Sequence, residues 1–170
     1  MNGKSKRIAL CGLLTATALV LSLVERMFPV SAVIPIPGIK LGLANVVTLF
    51  ALVRLNRRDA LAVLLVRVTL ASAFMGSITS FLFALFGGLL AMLVMLLLLP
   101  GRDRWISFIG ISAAGAAAHN IGQIGAAMLV LRSVYVAAYL PLLLLSGLVM
   151  GISTGIVSRA VIEHLEKISF

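Results

Sequence analysis

Long apolar segments separated by short basic clusters are the feature that most constrains how this chain can fold. A membrane-spanning helix needs roughly 20 consecutive apolar residues, because the hydrocarbon core of a bilayer is about 30 Å thick. Of the 170 residues, 62% are hydrophobic and only 11% are charged, whereas about a quarter of the residues in a soluble domain are charged. The composition therefore excludes an ordinary soluble enzyme and predicts an integral membrane protein.

Six apolar segments are predicted to cross the bilayer as helices. The second segment is short unless it includes residues 36–40, where a proline and a glycine interrupt the pattern. The predicted spans are residues 8–24, 36–53, 59–76, 78–99, 106–131 and 135–162. We therefore expect an all-α integral membrane protein, folded as one compact bundle of six transmembrane helices that occupies residues 1–170.

The basic residues predict the orientation of this bundle. The chain has 14 lysines and arginines against 5 aspartates and glutamates, which gives a net charge of +9. Lysine and arginine accumulate in the cytoplasmic loops of membrane proteins, and with the N-terminus inside only Arg26, Lys40 and Arg132 fall in outer loops. Both termini are therefore expected in the cytoplasm, with the protein in the cell membrane. The basic clusters do not line one face, so nucleic acid is not an expected partner.

The link between the first two spans, residues 26–40, is apolar but cannot be a regular helix. It contains Pro29, Pro35 and Pro37, and Gly38 permits a sharp bend. Backbone without internal hydrogen bonds cannot face lipid, so this link must lie at the outer interface or fold over a cavity. Two interpretations stay open, a lid over a binding site and a connector without a function of its own.

Small residues recur at every fourth position in three of the predicted spans. In lipid, helices associate by close contact at such residues. The fifth and sixth spans could therefore pack on each other or on another subunit, and the first span carries a shorter stripe. The stripes comprise Gly110, Ala114, Ala118, Gly122 and Ala126 in the fifth span, Gly147, Gly151 and Gly155 in the sixth, and Ala9, Gly12 and Ala16 in the first.

Arg67 is a charged residue inside a predicted span. It lies about 12 Å along its helix from Asp59, at 1.5 Å per residue, and its guanidinium cannot lose its proton there. Ionisable groups at this depth are costly, and each one suggests a functional role. Its counter-charge is Glu25 at the outer end of the first span, backbone carbonyl groups, or a bound anion.

A second polar cluster lies in the fifth span. His119 and Gln123 are one helical turn apart on one face, and Asn120 lies about 100° around the helix. Hydrogen-bonded packing within the protein would explain a lone histidine, whereas three adjacent polar side chains favour the wall of a pocket.

Three further residues could extend this polar region towards the outer side. Asn45 lies in the second span, Lys40 immediately precedes that span, and Glu25 ends the first. We therefore include all three among the candidate substrate-binding residues.

The sequence contains no arrangement typical of an enzyme. Asp59 and Asp103 are isolated at the predicted cytoplasmic edge, and Glu163 and Glu166 lie near the C-terminus. The single cysteine, Cys11, has no ligand-spaced partner for a metal, and no glycine-rich phosphate loop is present. We expect neither catalysis nor a metal nor a cofactor in this chain, and no energy source of its own.

Taken together, several of these stretches resemble the Gx transporter family, which also carries the older name heptaprenyl diphosphate synthase component I. The resemblance extends over essentially the whole chain. The stretches that carry it are Glu25, residues 35–45 (PIPGIKLGLAN), Arg67, residues 118–123 (AHNIGQ), Tyr139 to Pro141, and Gly147, Gly151 and Gly155.

The resemblance implies a substrate-binding (S) component of an energy-coupling factor (ECF) transporter. Such a component captures a small molecule from outside and docks on a transmembrane coupling protein and two ATPases, which hydrolyse ATP and drive release inward. S components are similar in docking through an Ala-x-x-x-Ala stripe on the first helix. Here Gly12 replaces the first alanine and Ala16 is the second, with Ala9 on the same side.

The older family name implies a different function. Prenyl diphosphate synthases hold magnesium through paired aspartate-rich motifs, and this chain, with 5 acidic residues in total, has no such motif. Under that name it would be a non-catalytic accessory subunit. We favour the S component, keep the accessory subunit as the alternative, and note another small transporter or a membrane scaffold as a third reading.

In the favoured interpretation, Arg67 binds an acidic group of the substrate, while His119, Asn120 and Gln123 orient a polar portion. The proline-rich link closes over the molecule. Apolar surroundings would suit an anionic or amphipathic substrate with a lipophilic body, for example an isoprenoid or quinone precursor.

Overall fold

The chain is helical throughout the part that the computed structural model describes, residues 3–25, 27, 43–75 and 78–167. Over these ranges it forms six α-helices and two short 3₁₀ helices and contains no β-strand, which confirms the predicted all-helical fold there. The 3₁₀ helices are Leu99–Gly101 and Val134–Tyr139. The α-helices are α1 (Gly3–Glu25), α2 (Asn45–Arg54), α3 (Arg57–Met75), α4 (Ile78–Leu98), α5 (Phe108–Leu131) and α6 (Leu140–Lys167).

Four segments are long and apolar enough to cross a membrane. They are Gly3–Glu25, Ile78–Gly101, Phe108–Leu131 and Val134–His164. The prediction of a membrane protein is supported by these four segments. The other two helices differ from them for separate reasons, since α2 has only 10 residues and α3 carries several charged side chains.

Helix α2 begins later than the predicted second span. The N–H groups of Val46 and Val47 donate to the carbonyl groups of Leu43 and Ala44, each at 3.2 Å. These bonds join residues three apart, as in a turn, so within the described residues this helix starts at Asn45. Of the predicted link, residues 26–40, only Met27 lies within the described residues, so the lid remains a prediction.

Helix α5 is the central element of the bundle, packing along its length against α4 and α6. Its small residues allow this, as the sequence pattern suggested. A Cβ atom at Gly122 would lie 2.8 Å from the Cα of Gly87 on α4. On the α6 side, Cβ atoms at Gly151 and Gly155 would lie 2.7 Å and 2.8 Å from the Cα atoms of Ala113 and Ile109. These glycines are therefore used for packing within the chain.

Helices α1 and α3 run in the same direction. The guanidinium of Arg7 donates two hydrogen bonds to the carboxylate of Asp59, one of them 2.6 Å from Nη2 to Oδ1. Because both residues lie near the first turns of their helices, the two N-termini are at the same end of the bundle. The α4, α5 and α6 contacts are antiparallel, as expected for consecutive helices joined by short links.

Candidate functional site

Arg67 lies inside the bundle. Only 6% of its surface is exposed, and its Nη2 atom has no hydrogen-bond partner within the described structure. Glu25, at the last residue of α1, is 4% exposed and attracts the guanidinium electrostatically. Of the predicted counter-charges, this carboxylate therefore acts on Arg67, yet it leaves a buried donor atom unsatisfied. Such an atom is costly in a helical bundle.

Two adjacent glycines of α4 bring Arg67 close to the polar cluster of α5. A Cβ atom at Gly88 would lie 3.6 Å from Nη2 of Arg67. A Cβ atom at Gly87 would lie 2.8 Å from the carbonyl oxygen of His119 and 3.0 Å from Cγ of Gln123. The guanidinium and the cluster of α5 thus approach adjacent residues of α4, from directions about 100° apart around the helix.

Gly87 and Gly88 are not among the residues predicted from the sequence for this site. The available signal is a pair of glycines in the middle of a helix otherwise rich in leucine, methionine and phenylalanine. Each glycine costs about 1 kcal/mol relative to alanine in a helix interior, so a pair there indicates that neighbouring atoms need the space.

The polar residues of α5 are fully enclosed. His119 is 3% exposed, and Asn120 and Gln123 are 0% exposed. Nε2 of Gln123 donates to Oδ1 of Asn120 at 3.3 Å, and Nδ2 of Asn120 donates to the carbonyl of Leu143 on α6 at 2.5 Å. The amide of Asn120 is therefore engaged within the protein and ties α5 to α6. Gly147 on α6 provides the space for that amide.

Asn45 begins α2 and is also buried. Neither atom of its side-chain amide has a hydrogen-bond partner within the described residues. Helix α2 packs against α3, α4 and α5, the helices that carry Arg67, the glycine pair and His119. Lys40, the other residue predicted beside Asn45, lies outside the described residues.

The predicted docking residues of α1 are exposed. Ala9, Gly12 and Ala16 all face away from the bundle, and a Cβ atom at Gly12 would have nothing within 4 Å. The opposite face of α1 packs inward through residues such as Leu14 and Ala18. The stripe is therefore open to lipid or to a partner protein.

The candidate residues supply one guanidinium, one imidazole, side-chain amides and a carboxylate in an apolar bundle. Within the described ranges, no three His, Cys, Asp or Glu side chains are grouped closely enough to hold a metal ion. The unsatisfied atoms of Arg67 and Asn45 are suited to hydrogen bonds with a bound molecule, and the guanidinium favours an anionic group.

Comparison with known proteins gives one family. A family model described as heptaprenyl diphosphate synthase component I matches residues 14–161, which is most of the chain. No curated protein and no solved structure gives a significant match.

Proposed function

The chain belongs to the heptaprenyl diphosphate synthase component I family, and we propose that it is the membrane-embedded substrate-binding component of an ECF-type uptake transporter. In this role it captures a small anionic or amphipathic molecule from outside the cell. We expect no cofactor in this chain, since ATP would be hydrolysed by partner subunits.

The observation that carries this proposal is the buried Arg67, whose Nη2 atom lacks a hydrogen-bond partner in the described structure. A protein that used this arginine only for packing would be expected to satisfy its donors, because an unsatisfied charged donor is more costly than a neutral one. An acidic group on a substrate would supply the missing acceptor. His119 and Gln123, which pack beside the adjacent Gly87, would contact the adjoining part of the molecule.

Asn120, Asn45, Glu25 and Lys40 complete the proposed site. Asn120 would act mainly by positioning Gln123, to which it is hydrogen-bonded. The unsatisfied amide of Asn45 would contact a polar portion of the substrate. Glu25 would tune the charge beside Arg67, and Lys40 would approach from the proline-rich link. The apolar helices around these groups suit a lipophilic body, such as that of an isoprenoid or quinone precursor.

We also propose that the six predicted spans, of which the second is residues 36–53, cross the cell membrane with both termini in the cytoplasm. This arrangement places the basic links on the inner side. The open stripe of Ala9, Gly12 and Ala16 would then dock on the coupling protein, which binds two ATPases. Its exposure supports this role, since close helix contact requires small residues without a covering neighbour.

The test is substrate retention by variants of one helix. Arg67→Ala should abolish retention of small molecules detected by mass spectrometry after purification, because the only arginine at this depth of α3 is lost. Arg58→Ala is the matched control, because Arg58 is exposed in the first turn of the same helix, and it should retain them. Unchanged retention by a monodisperse Arg67→Ala protein would contradict the proposed role.

The second candidate is a non-catalytic accessory subunit of a heptaprenyl diphosphate synthase, which the family description favours. Its partner would be the catalytic synthase component. Purification of the tagged chain from its native membrane distinguishes the two. Recovery of a coupling protein with ATPases supports the transporter, and recovery of a soluble prenyl synthase supports the accessory subunit.

A further inference from the structure

Basic residues from two distant parts of the sequence meet at one end of the bundle. The hydrogen bonds from Arg7 to Asp59 bring the N-terminus of α1 to the N-terminus of α3, and a link of two residues joins α2 to α3. We call this region the basic end. Its cationic side chains, all of them exposed, are Lys4, Lys6, Arg7, Arg54, Arg57 and Arg58.

The basic end has a large excess of positive charge. In residues 3–10 and 54–60 the sole acidic residue is Asp59, and its carboxylate is already bound by Arg7. The other five cationic side chains of the basic end form no ion pair within the described part of the chain. This end of the molecule therefore attracts anions from its surroundings.

Arg54 and Arg57 are held on either side of the link between α2 and α3. Arg54 is the last residue of α2 and Arg57 the first of α3, and Asn56 between them caps α3, because its Oδ1 accepts from the N–H of Asp59 at 2.8 Å. The chain between the two arginines limits their Cα atoms to a separation of at most about 11 Å. Two arginine side chains can bridge this separation and hold one anion between their guanidinium groups.

An exposed apolar stripe of α3 begins one turn after Arg57. Leu61 and Leu65 are both exposed, and they follow Arg57 at intervals of four residues, so the three side chains share one face of the helix. An acyl chain would lie along the two leucines while its head group reaches the arginines. A dissolved anion would make no use of this stripe.

We propose that Arg54 and Arg57 bind the phosphate of an anionic phospholipid whose acyl chain lies along Leu61 and Leu65. Guanidinium groups bind phosphate oxygens through paired donors. The excess positive charge selects against a zwitterionic lipid, whose ammonium group it repels. In the proposed orientation this end meets the cytoplasmic leaflet, in which anionic lipids give the surface a negative potential. The site is separate from Arg67, so the inference does not depend on the proposed substrate.

The test measures lipid binding to the purified full-length protein in detergent by native mass spectrometry. Dioleoylphosphatidylglycerol and dioleoylphosphatidylcholine have the same acyl chains and differ in head-group charge, and the wild-type protein should bind the glycerol lipid more tightly. Arg57→Gln should weaken that binding about fivefold, the factor expected for one basic residue beside an anionic surface, and leave binding of the choline lipid unchanged. Arg57→Lys keeps the charge and should retain most of the preference.

Arg104→Gln is the matched control. Arg104 is also an exposed arginine in a link between helices, but the nearby Arg102 and Arg159 are paired with Asp103 and Glu163. The control should therefore bind the glycerol lipid as the wild type does. Equal losses in the two glutamine variants would show attraction by net charge alone, without a site, and would overturn the proposal.

A soluble competitor distinguishes a lipid from a dissolved anion. Glycerol 1-phosphate in large excess should not displace the glycerol lipid, because it has no acyl chain to contact the apolar stripe. Displacement would indicate a site for soluble phosphates. Equal binding of the two lipids by the wild-type protein would leave an acidic segment of a partner protein as the occupant. Either result would overturn the proposal.

Discussion

Arg67 and Asn120 show two ways in which a polar side chain can be buried in this bundle. The side-chain amide of Asn120 donates a hydrogen bond to the carbonyl of Leu143 and accepts one from the amide of Gln123. Arg67 is attracted by Glu25 but keeps an unsatisfied donor in the described structure. Because burial is costly without partners, Asn120 is suited to stabilise the helix packing, and Arg67 is suited to meet a ligand.

Asn120→Ala should lower the free energy of unfolding by about 1–3 kcal/mol, because it leaves buried groups of Leu143 and Gln123 without these partners. Thermal or denaturant unfolding in detergent measures the change. Thr17→Ala is the control, since its exposed hydroxyl bonds only to its own helix, and we expect a change within about 0.5 kcal/mol. Equal stabilities of the two variants would show that the α5–α6 tie contributes little.

At the scale of elements, α4 determines how closely the polar helices approach one another. Gly87 faces the backbone of α5, whereas Gly88 faces the side chains of Leu64 and Arg67 on α3. Helix α5 uses Gly122 on one side and contacts Gly151 and Gly155 on the other. Helices α4, α5 and α6 are therefore held by contact between backbones, as is common where lipid provides no hydrophobic drive for association.

Alanine substitutions along these glycines should have unequal effects. Gly87→Ala places a Cβ atom 2.8 Å from the backbone oxygen of His119, which cannot move without shifting α5, so we expect a loss of about 1–3 kcal/mol. At Gly88 the nearest contact is 3.4 Å, and alanine should be tolerated. Gly125→Ala meets nothing within 4 Å and should be neutral or stabilising. Unfolding in detergent gives the order, and equal losses at all three positions would contradict this account.

At the scale of the whole molecule, the ion pair of Arg7 and Asp59 shows that the N-termini of α1 and α3 lie at the same end of the bundle. Helices α4, α5 and α6 alternate in direction. This arrangement agrees with a chain that crosses the membrane repeatedly, in which the basic residues select the cytoplasmic side. The orientation of the protein in the membrane then depends on the charges of its loops. It can be measured independently of how the helices pack.

The proposed orientation predicts which loops are accessible from outside intact cells. In a Cys11→Ala background, Val134→Cys should react with a membrane-impermeant maleimide, because Val134 is 73% exposed and follows the proposed outer end of α5. Arg104→Cys, exposed in the link before α5, should react only after the cells are opened. The reverse labelling pattern would contradict the proposal that both termini are cytoplasmic.

The burial of the candidate residues could be anticipated from residue types and their positions in the predicted spans. Arg67 and the group of His119, Asn120 and Gln123 stand out because polar side chains are rare in apolar spans. Their approach to Gly87 and Gly88 could not be predicted. Which face of α4 packs on which helix depends on contacts between segments far apart in sequence. The hydrogen bond from Asn120 to the Leu143 carbonyl could not be predicted either, because every residue has a backbone carbonyl and the sequence does not show which one is the acceptor.

The sequence by itself determined that this is a helical membrane protein of one family. The length and composition of its apolar segments decide whether a chain folds in water or in a bilayer. Only the tertiary structure decided which small residues serve internal packing and which, on α1, stay open. It also decided which buried polar atoms have partners. Both depend on distances of a few ångströms between helices. A sequence pattern predicts which residues share one face of a helix, but it does not predict which helix packs against that face.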